Sequence, residues 1–247
     1  GSDRRDTSWY GNSDVMMLVS INKRTEQIHL VSFMRDSYAV VGDRGGHKLN
    51  YAYALGGGPL LVETIEENYR LHIDQYASAD FTNTAEIVDL LGGVDVELNS
   101  AEARQLARGS YGVDAAEIDG AGTYHLNGAQ AVAYARIRNI GNSDYRRTER
   151  QRTVMTTLFQ QARQMSLSRL NSLAEEILPL LTHNMSQGTV LTLLADLPEI
   201  LSYELVTDRV PYDGLYYFRG EMLVPEWEET IEQLQEELYG TEEQPAR

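Results

Sequence analysis

The stretch Val15-Met-Met-Leu-Val-Ser-Ile-Asn-Lys-Arg-Thr-Glu-Gln-Ile-His-Leu-Val-Ser-Phe33 decides the fold. Two apolar, strand-like runs, Val15 to Ile21 and Gln27 to Phe33, are joined by a polar Asn22 to Glu26, which reads as a β-hairpin. Downstream, Gly56-Gly-Gly-Pro59 punctuates the chain, with Pro59 suited to the first turn of a helix that continues through Leu60, Leu61, Ile65 and Tyr69. Phe81 to Leu91 reads as a second helix closed by Gly92-Gly93, and Val94-Asp-Val-Glu-Leu98 as a strand with alternating faces. Residues 99–125 have no clear period and read as a long excursion over the surface. Asn127 with Gln130 forms a capping-box signature for a helix leading toward Arg136 and Arg138. A further helix is expected from about Thr148 through Met165, then Leu-rich helices over Leu170 to Leu181 and Thr189 to Leu201, whose leucines read as core. Leu205 to Val210 reads as a late strand ended by Pro211, and Tyr212 to Tyr217 as an aromatic loop. Trp227, Ile231, Leu234 and Leu238 place one apolar stripe on a final acidic helix. Strands alternating with helices predict a single three-layer α/β/α domain over residues 1–240, with a central mixed sheet and helices on both faces. The tail 241–247 is expected to fray.

Composition narrows the function. With 247 residues, 42% hydrophobic and 23% charged, the chain can bury a substantial core. A net charge of -16 argues against nucleic acid as a partner, since backbone binding requires a broad basic surface. The lack of cysteine excludes disulfides and thiolate chemistry. No apolar run is long enough to cross a bilayer. The chain opens on Gly1-Ser2, so an N-terminal membrane anchor is expected to have preceded it and been removed.

Against that acidic background, six of the 21 basic residues gather in one segment: Arg136, Arg138, Arg146, Arg147, Arg150 and Arg152. Such crowding costs like-charge repulsion, and a bound anion is its natural compensation. Guanidinium forks match phosphate oxygens in pairs and stay ionised at any working pH, which points to a phosphate or pyrophosphate site. Asp144, Arg147 and Gln151 are spaced three and four apart, so they share a face if the stretch is helical. Three smaller constellations would suit the same ligand. Asp3, Arg4, Arg5 and Asp6, followed by Asn12-Ser13-Asp14 before the first strand, could hold Mg²⁺ (or Mn²⁺) through hard oxygen ligands, although an Asp before a strand also serves as a turn residue. Arg35-Asp36 at the exit of the second strand could line a ligand crevice or form a salt bridge at the sheet edge. Lys48 could reach a phosphate and Asn50 orient a loop, or both could be ordinary loop polarity. The histidines lack metal-ligand spacing, and neither a nucleophile elbow nor a Walker-type loop is present.

The order of these pieces resembles the LytR-CpsA-Psr family of bacterial envelope proteins. The likeness runs through Gly1-Ser-Asp-Arg-Arg5, Ser13-Asp14, Leu30-Val-Ser-Phe-Met-Arg-Asp36 and His47-Lys-Leu-Asn-Tyr-Ala-Tyr53. It continues through Leu90-Leu-Gly-Gly-Val-Asp-Val96, His125 to Arg138, and Asp144 through Gln151. The resemblance implies a membrane-anchored phosphotransferase on the extracellular face of the bacterial cell membrane. Such an enzyme moves a glycopolymer (teichoic acid, capsular polysaccharide or another polymer) from a polyprenyl-pyrophosphate carrier onto a peptidoglycan hydroxyl, with pyrophosphate hydrolysis as a side activity. It also implies an apolar cavity for the lipid tail, metal-linked Asp3 and Asp14, pyrophosphate-binding Arg35, Arg136, Arg138 and Arg147, and supporting Asp144 and Gln151. Asp14 is the expected base for the acceptor hydroxyl. Where the family usually carries an arginine two residues before the second aspartate, this chain has Asn12, so that phosphate contact is either missing or supplied by Arg4 or Arg5. Asn12 also keeps open a second reading, a non-catalytic module that binds or senses polyprenyl phosphate.

Overall fold

The computed structural model describes residues 11–138, 140 and 143–240. The expected metal-linked Asp3, the phosphate contacts Arg4 and Arg5, and the tail 241–247 lie outside them. In chain order the strands and helices are β1 (Met16–Asn22), β2 (Gln27–Phe33), β3 (Tyr38–Val40), β4 (Gly46–Lys48), α1 (Asn50–Tyr69), β5 (Ala77–Ser78) and α2 (Phe81–Leu90). They continue with β6 (Val94–Leu98), α3 (Ser100–Ala107), β7 (Gly122–Leu126), α4 (Gly128–Arg136), α5 (Ser143–Ala162), α6 (Leu167–Ile177) and β8 (Thr182–His183). The chain closes with α7 (Gln187–Ile200), β9 (Glu204–Val210), β10 (Tyr216–Arg219), β11 (Met222–Pro225) and α8 (Trp227–Tyr239). This is the expected α/β class with a mixed sheet. Among the described residues two compact units can be distinguished: 11–78 with 183–240, and 79–182.

In the first unit the hairpin forms where the sequence places it. β1 and β2 pair antiparallel from Met16↔Phe33 to Asn22↔Gln27. Asn22 organises the turn, its side-chain oxygen accepting from the backbone N–H groups of Arg24 and Thr25 at 3.0 and 3.1 Å, the usual use of Asn in a turn. β9 then adds parallel to β2, Gln27↔Glu204 through Phe33↔Val210, giving the order β1-β2-β9. The central strand is buried from Ile28 to Phe33, so both its faces are covered, as a layered α/β fold requires. Val31 and Phe33 join Met16, Leu49, Ile65, Tyr69, Val210, Leu234 and Leu238 in one core, each such side chain worth roughly 1.5–3 kcal/mol when fully buried. The stripe expected on the last helix supplies part of it: Ile231, Leu234 and Leu238 are buried and Trp227 packs against the cluster.

Three local readings of this unit change. The helix expected after Pro59 is present, and a further helical stretch from Asn50, unmarked in the sequence reading, precedes it. The two meet at a kink at Gly57, whose positive φ with extended ψ (φ 63°, ψ -151°) is a conformation essentially open to glycine alone. Tyr212 to Tyr217 is not simply a loop, since Tyr216 starts a hairpin paired Tyr216↔Pro225 through Arg219↔Met222, too short for its alternation to stand out. The leucines of α7 are not all core. Leu191 is 61% and Leu193 39% exposed, and only Ile200 of that helix is buried.

In the second unit β6 pairs antiparallel with β7, Val94↔Leu126 to Leu98↔Gly122. Residues 99–125 are therefore no surface excursion. Asn99 and Glu102 form a capping box that opens α3, Leu106 and Ile118 are buried, and β7 closes the segment. The eight-residue helix is too short, and its surroundings too rich in Gly, Ala and Asp, to show a period. The Asn127–Gln130 capping box is present at the start of α4. α5 begins at Ser143 rather than Thr148, with Asp144 in its first turn, where a carboxylate favours the helix dipole. Val88, Val96, Leu98, Leu106, Leu126, Tyr134 and Leu158 share this unit's core. Among the described residues no helix is long and apolar enough to cross a membrane.

Candidate functional site

Antiparallel pairing of β1 with β2 sets Met16 opposite Phe33, so the residues before β1 and after β2 emerge at the same end of the sheet. There Asp14 and Arg35 meet, Arg35 Nη1 standing 2.8 Å from Asp14 Oδ1 and its Nε 3.4 Å from Asp36 Oδ2. β4, paired with β3, brings Lys48 Nζ to 2.9 Å from Asp36 Oδ1 and 3.2 Å from Glu221 Oε2. Burial pulls the Lys48 amine down, but hydrogen bonds and charge from Asp36 and Glu221 outweigh it and raise its pKa. The side chains of Asp14 and Asp36 are each 15% exposed. Asn50 is buried at the start of α1, and its backbone N–H donates to the Arg35 carbonyl at 3.2 Å. The first unit thus gathers Asp14, Arg35, Asp36 and Lys48 into one chain of alternating charge, and includes the Arg35–Asp36 contact that the sequence leaves open.

The arginine segment of the second unit divides by role. Arg136 is the last residue of α4, and its guanidinium carbon lies 4.1 Å from the Phe81 ring centroid and 4.4 Å from that of Tyr111. Arg138 follows the helix and is exposed. On α5, Arg147 is buried and pairs with Asp144 Oδ1 at 3.2 Å, the contact their spacing allows. Gln151, also buried, donates to the Ala135 carbonyl at 3.4 Å. Arg150 serves the fold. Buried, it stands 3.2 Å from Glu102 Oε1 and donates to the Ile137 carbonyl. Arg146 pairs with Glu149 at 2.8 Å in solvent, a contact worth ~1 kcal/mol or less.

Sequence reading missed Phe81, Tyr111 and Glu102. Glu102 had a signal, because Asn99 followed three residues later by Glu is a capping-box pattern. The rings had none, since only the fold brings them to Arg136.

Among the described residues no group of three His, Cys, Asp or Glu side chains is placed to hold a metal. Mg²⁺ does not require one, because it is commonly held by one or two carboxylates together with water and substrate phosphates. The carboxylate oxygens of Asp14 fit that chemistry. A surface cavity of about 470 Å³ lies in the first unit, lined by Val40, Glu67, Asn68, Arg70, Trp227, Glu228 and Ile231. None of the site residues expected from the sequence lines it.

Residues 1–239 match the LytR_cpsA_psr family. The chain belongs to that family. Among its relatives is the polyisoprenyl-teichoic acid–peptidoglycan teichoic acid transferase TagU of Oceanobacillus iheyensis, 36% identical over 191 residues, or 74% of this chain and 55% of TagU. The chain spans about half the length of the curated transferases it matches first, 52%, 54% and 55%. Among solved structures, TagT bound to LIIa-WTA is 26% identical with a TM-score of 0.74, covering 92% of this chain and 84% of that one. The family protein YwtF (TagT) with bound octaprenyl pyrophosphate lipid shares the fold at 24% identity and a TM-score of 0.69, covering 92% and 85%.

Proposed function

We propose that this LytR_cpsA_psr chain is a phosphotransferase that moves a glycopolymer from a polyprenyl-pyrophosphate carrier onto a peptidoglycan hydroxyl at the outer face of a bacterial membrane. The acceptor oxygen attacks the phosphorus that bears the glycopolymer. The bond from that phosphorus to the bridging oxygen breaks, the second phosphate departs with that oxygen as polyprenyl phosphate, and the hydroxyl proton passes to a carboxylate, Asp14. Arg35, Arg136, Arg138 and Arg147 bind and neutralise the pyrophosphate as charge builds on the leaving group, with Lys48, Asn50, Asp144 and Gln151 supporting them and Arg5 adding a phosphate contact. Catalysis of this kind is mostly positioning and electrostatics. Asp14 and Asp3 would hold Mg²⁺ or Mn²⁺, which supplies charge neutralisation on phosphate oxygens when bound.

The observation that carries this reading is the gathering of arginines on a chain of net charge -16, in a family with one member solved bound to octaprenyl pyrophosphate lipid and others named teichoic acid transferases. The test is transfer from a lipid-pyrophosphate glycan to peptidoglycan fragments by Arg136→Ala and Arg138→Ala variants. Loss of a single arginine that stabilises phosphoryl transfer costs ~10³–10⁵ in rate, so near-abolished transfer is expected. Either variant keeping more than about a tenth of normal activity takes that arginine out of the mechanism.

A further inference from the structure

Three consecutive carbonyls at the end of α4 are each met by a side chain from the same unit. Gln151 donates to Ala135 at 3.4 Å, Tyr111 Oη to Arg136 at 2.5 Å, and Arg150 to Ile137. Carbonyls that close a helix have no partner inside it, so these contacts fix the backbone that carries Arg136. Its cationic end is fixed as well, at 4.1 and 4.4 Å from the Phe81 and Tyr111 centroids, where the ring quadrupole attracts a cation. Tyr111 makes both contacts from a left-handed backbone (φ 62°, ψ 20°), a conformation costly for a bulky residue and typical of functional sites. It is also 45% exposed, so burial does not explain why the strain is kept. Arg35, Arg147 and Arg150 each face a carboxylate. Among the described residues none lies within ion-pair distance of Arg136.

We propose that Phe81 and Tyr111 are positioning residues that hold the Arg136 guanidinium ordered for a phosphate anion without neutralising it. The proposal rests on reading Arg136 as a pyrophosphate ligand. A carboxylate would order the arginine equally well but compete with the phosphate for its N–H groups and its charge. An aromatic face does neither, and a side chain already ordered loses less freedom when the anion arrives.

The test is a double-mutant cycle read by calorimetric titration of the whole chain with inorganic pyrophosphate in the presence of Mg²⁺. Phe81→Leu/Tyr111→Leu is expected to weaken binding about 5- to 30-fold, the loss of two cation–π contacts, and to lower the transfer rate up to ~10²-fold through misplacement. Tyr111→Phe, which keeps the ring, should bind within about 3-fold of the wild type. On an Arg136→Ala background the aromatic changes should cost nothing further, because the group they position is gone. Equal losses on both backgrounds would mean that the rings only support the fold and would overturn the proposal. So would wild-type affinity in the aromatic variant while Arg136→Ala is weakened, a result that leaves the pyrophosphate reading standing. Wild-type affinity in Arg136→Ala removes that reading and the proposal together. If the aromatic pair variant does not fold, Tyr111→Leu alone runs the same cycle, and the same outcomes support or overturn the proposal.

Discussion

Replacing Arg150 by alanine should unsettle the second unit far more than replacing Arg146, which pairs in solvent. Arg150 and Glu102 face each other at 3.2 Å with only 3% and 10% of their side chains exposed. Glu102 also accepts from the Asn99 backbone in the α3 capping box, and Arg150 donates to the Ile137 carbonyl. Truncating Arg150 leaves a buried carboxylate without its cation and a helix-end carbonyl without its donor. Breaking a buried pair from one side costs about 3–5 kcal/mol, because the remaining charge stays desolvated. For a chain of this size each kcal/mol moves the melting temperature by roughly 2–4 °C, so a fall of about 6–20 °C is expected by circular dichroism or calorimetry. Glu102→Leu/Arg150→Met, which removes both charges and keeps volume, should recover part of the loss and show a coupling of about 1 kcal/mol or more. A fall below about 2 °C for Arg150→Ala, or strict additivity in the cycle, would refute the view that this arginine belongs to the fold.

Other perturbations follow from the same geometry. A methyl group at Gly128 would meet the Ala85 backbone carbonyl at 1.9 Å, so Gly128→Ala must part α2 from α4. It should cost about 1–3 kcal/mol or more in a urea melt, and unchanged stability would contradict that close approach. Burial holds the His29 imidazole below its ordinary 6.5, against the raising pull of Glu237 and Glu204. The unfolded chain then takes up the proton first as pH falls through about 6.5, so stability drops on the acid side. The melting temperature of His29→Leu should change less between pH 7.5 and 5.5 than that of the wild type, and identical slopes would clear His29 of the effect. Chelation of divalent ions should cut transfer at least ~10-fold, with Mg²⁺ or Mn²⁺ restoring it. Activity unchanged in chelator would remove the metal.

The larger elements were legible because their patterns are long or chemically specific. The β1–β2 hairpin shows two apolar runs around a polar turn, the α8 stripe spans three helical turns, and the Asn127 capping box joins two side chains at a fixed spacing. Short elements left too little pattern: α3 has eight residues and β10 four. In the arginine segment, sequence shows accumulation but not allocation. Arg146, Arg147 and Arg150 lie within five positions. Yet one pairs in solvent, one is buried against Asp144, and one braces Glu102 and a helix end, differences set by which way each side chain leaves α5. The rings over Arg136 come from α2 and from the turn after α3, distances in sequence that no local pattern spans.

The most direct measurement is a transfer reaction in which purified chain, Mg²⁺, a polyprenyl-pyrophosphate-linked glycopolymer and peptidoglycan fragments are followed for both products at once. Polyprenyl phosphate should appear in step with glycopolymer joined to peptidoglycan, one for one. Lipid that binds and comes back unchanged, or polyprenyl phosphate released with no glycopolymer attached to peptidoglycan, would contradict the assignment of a transferase.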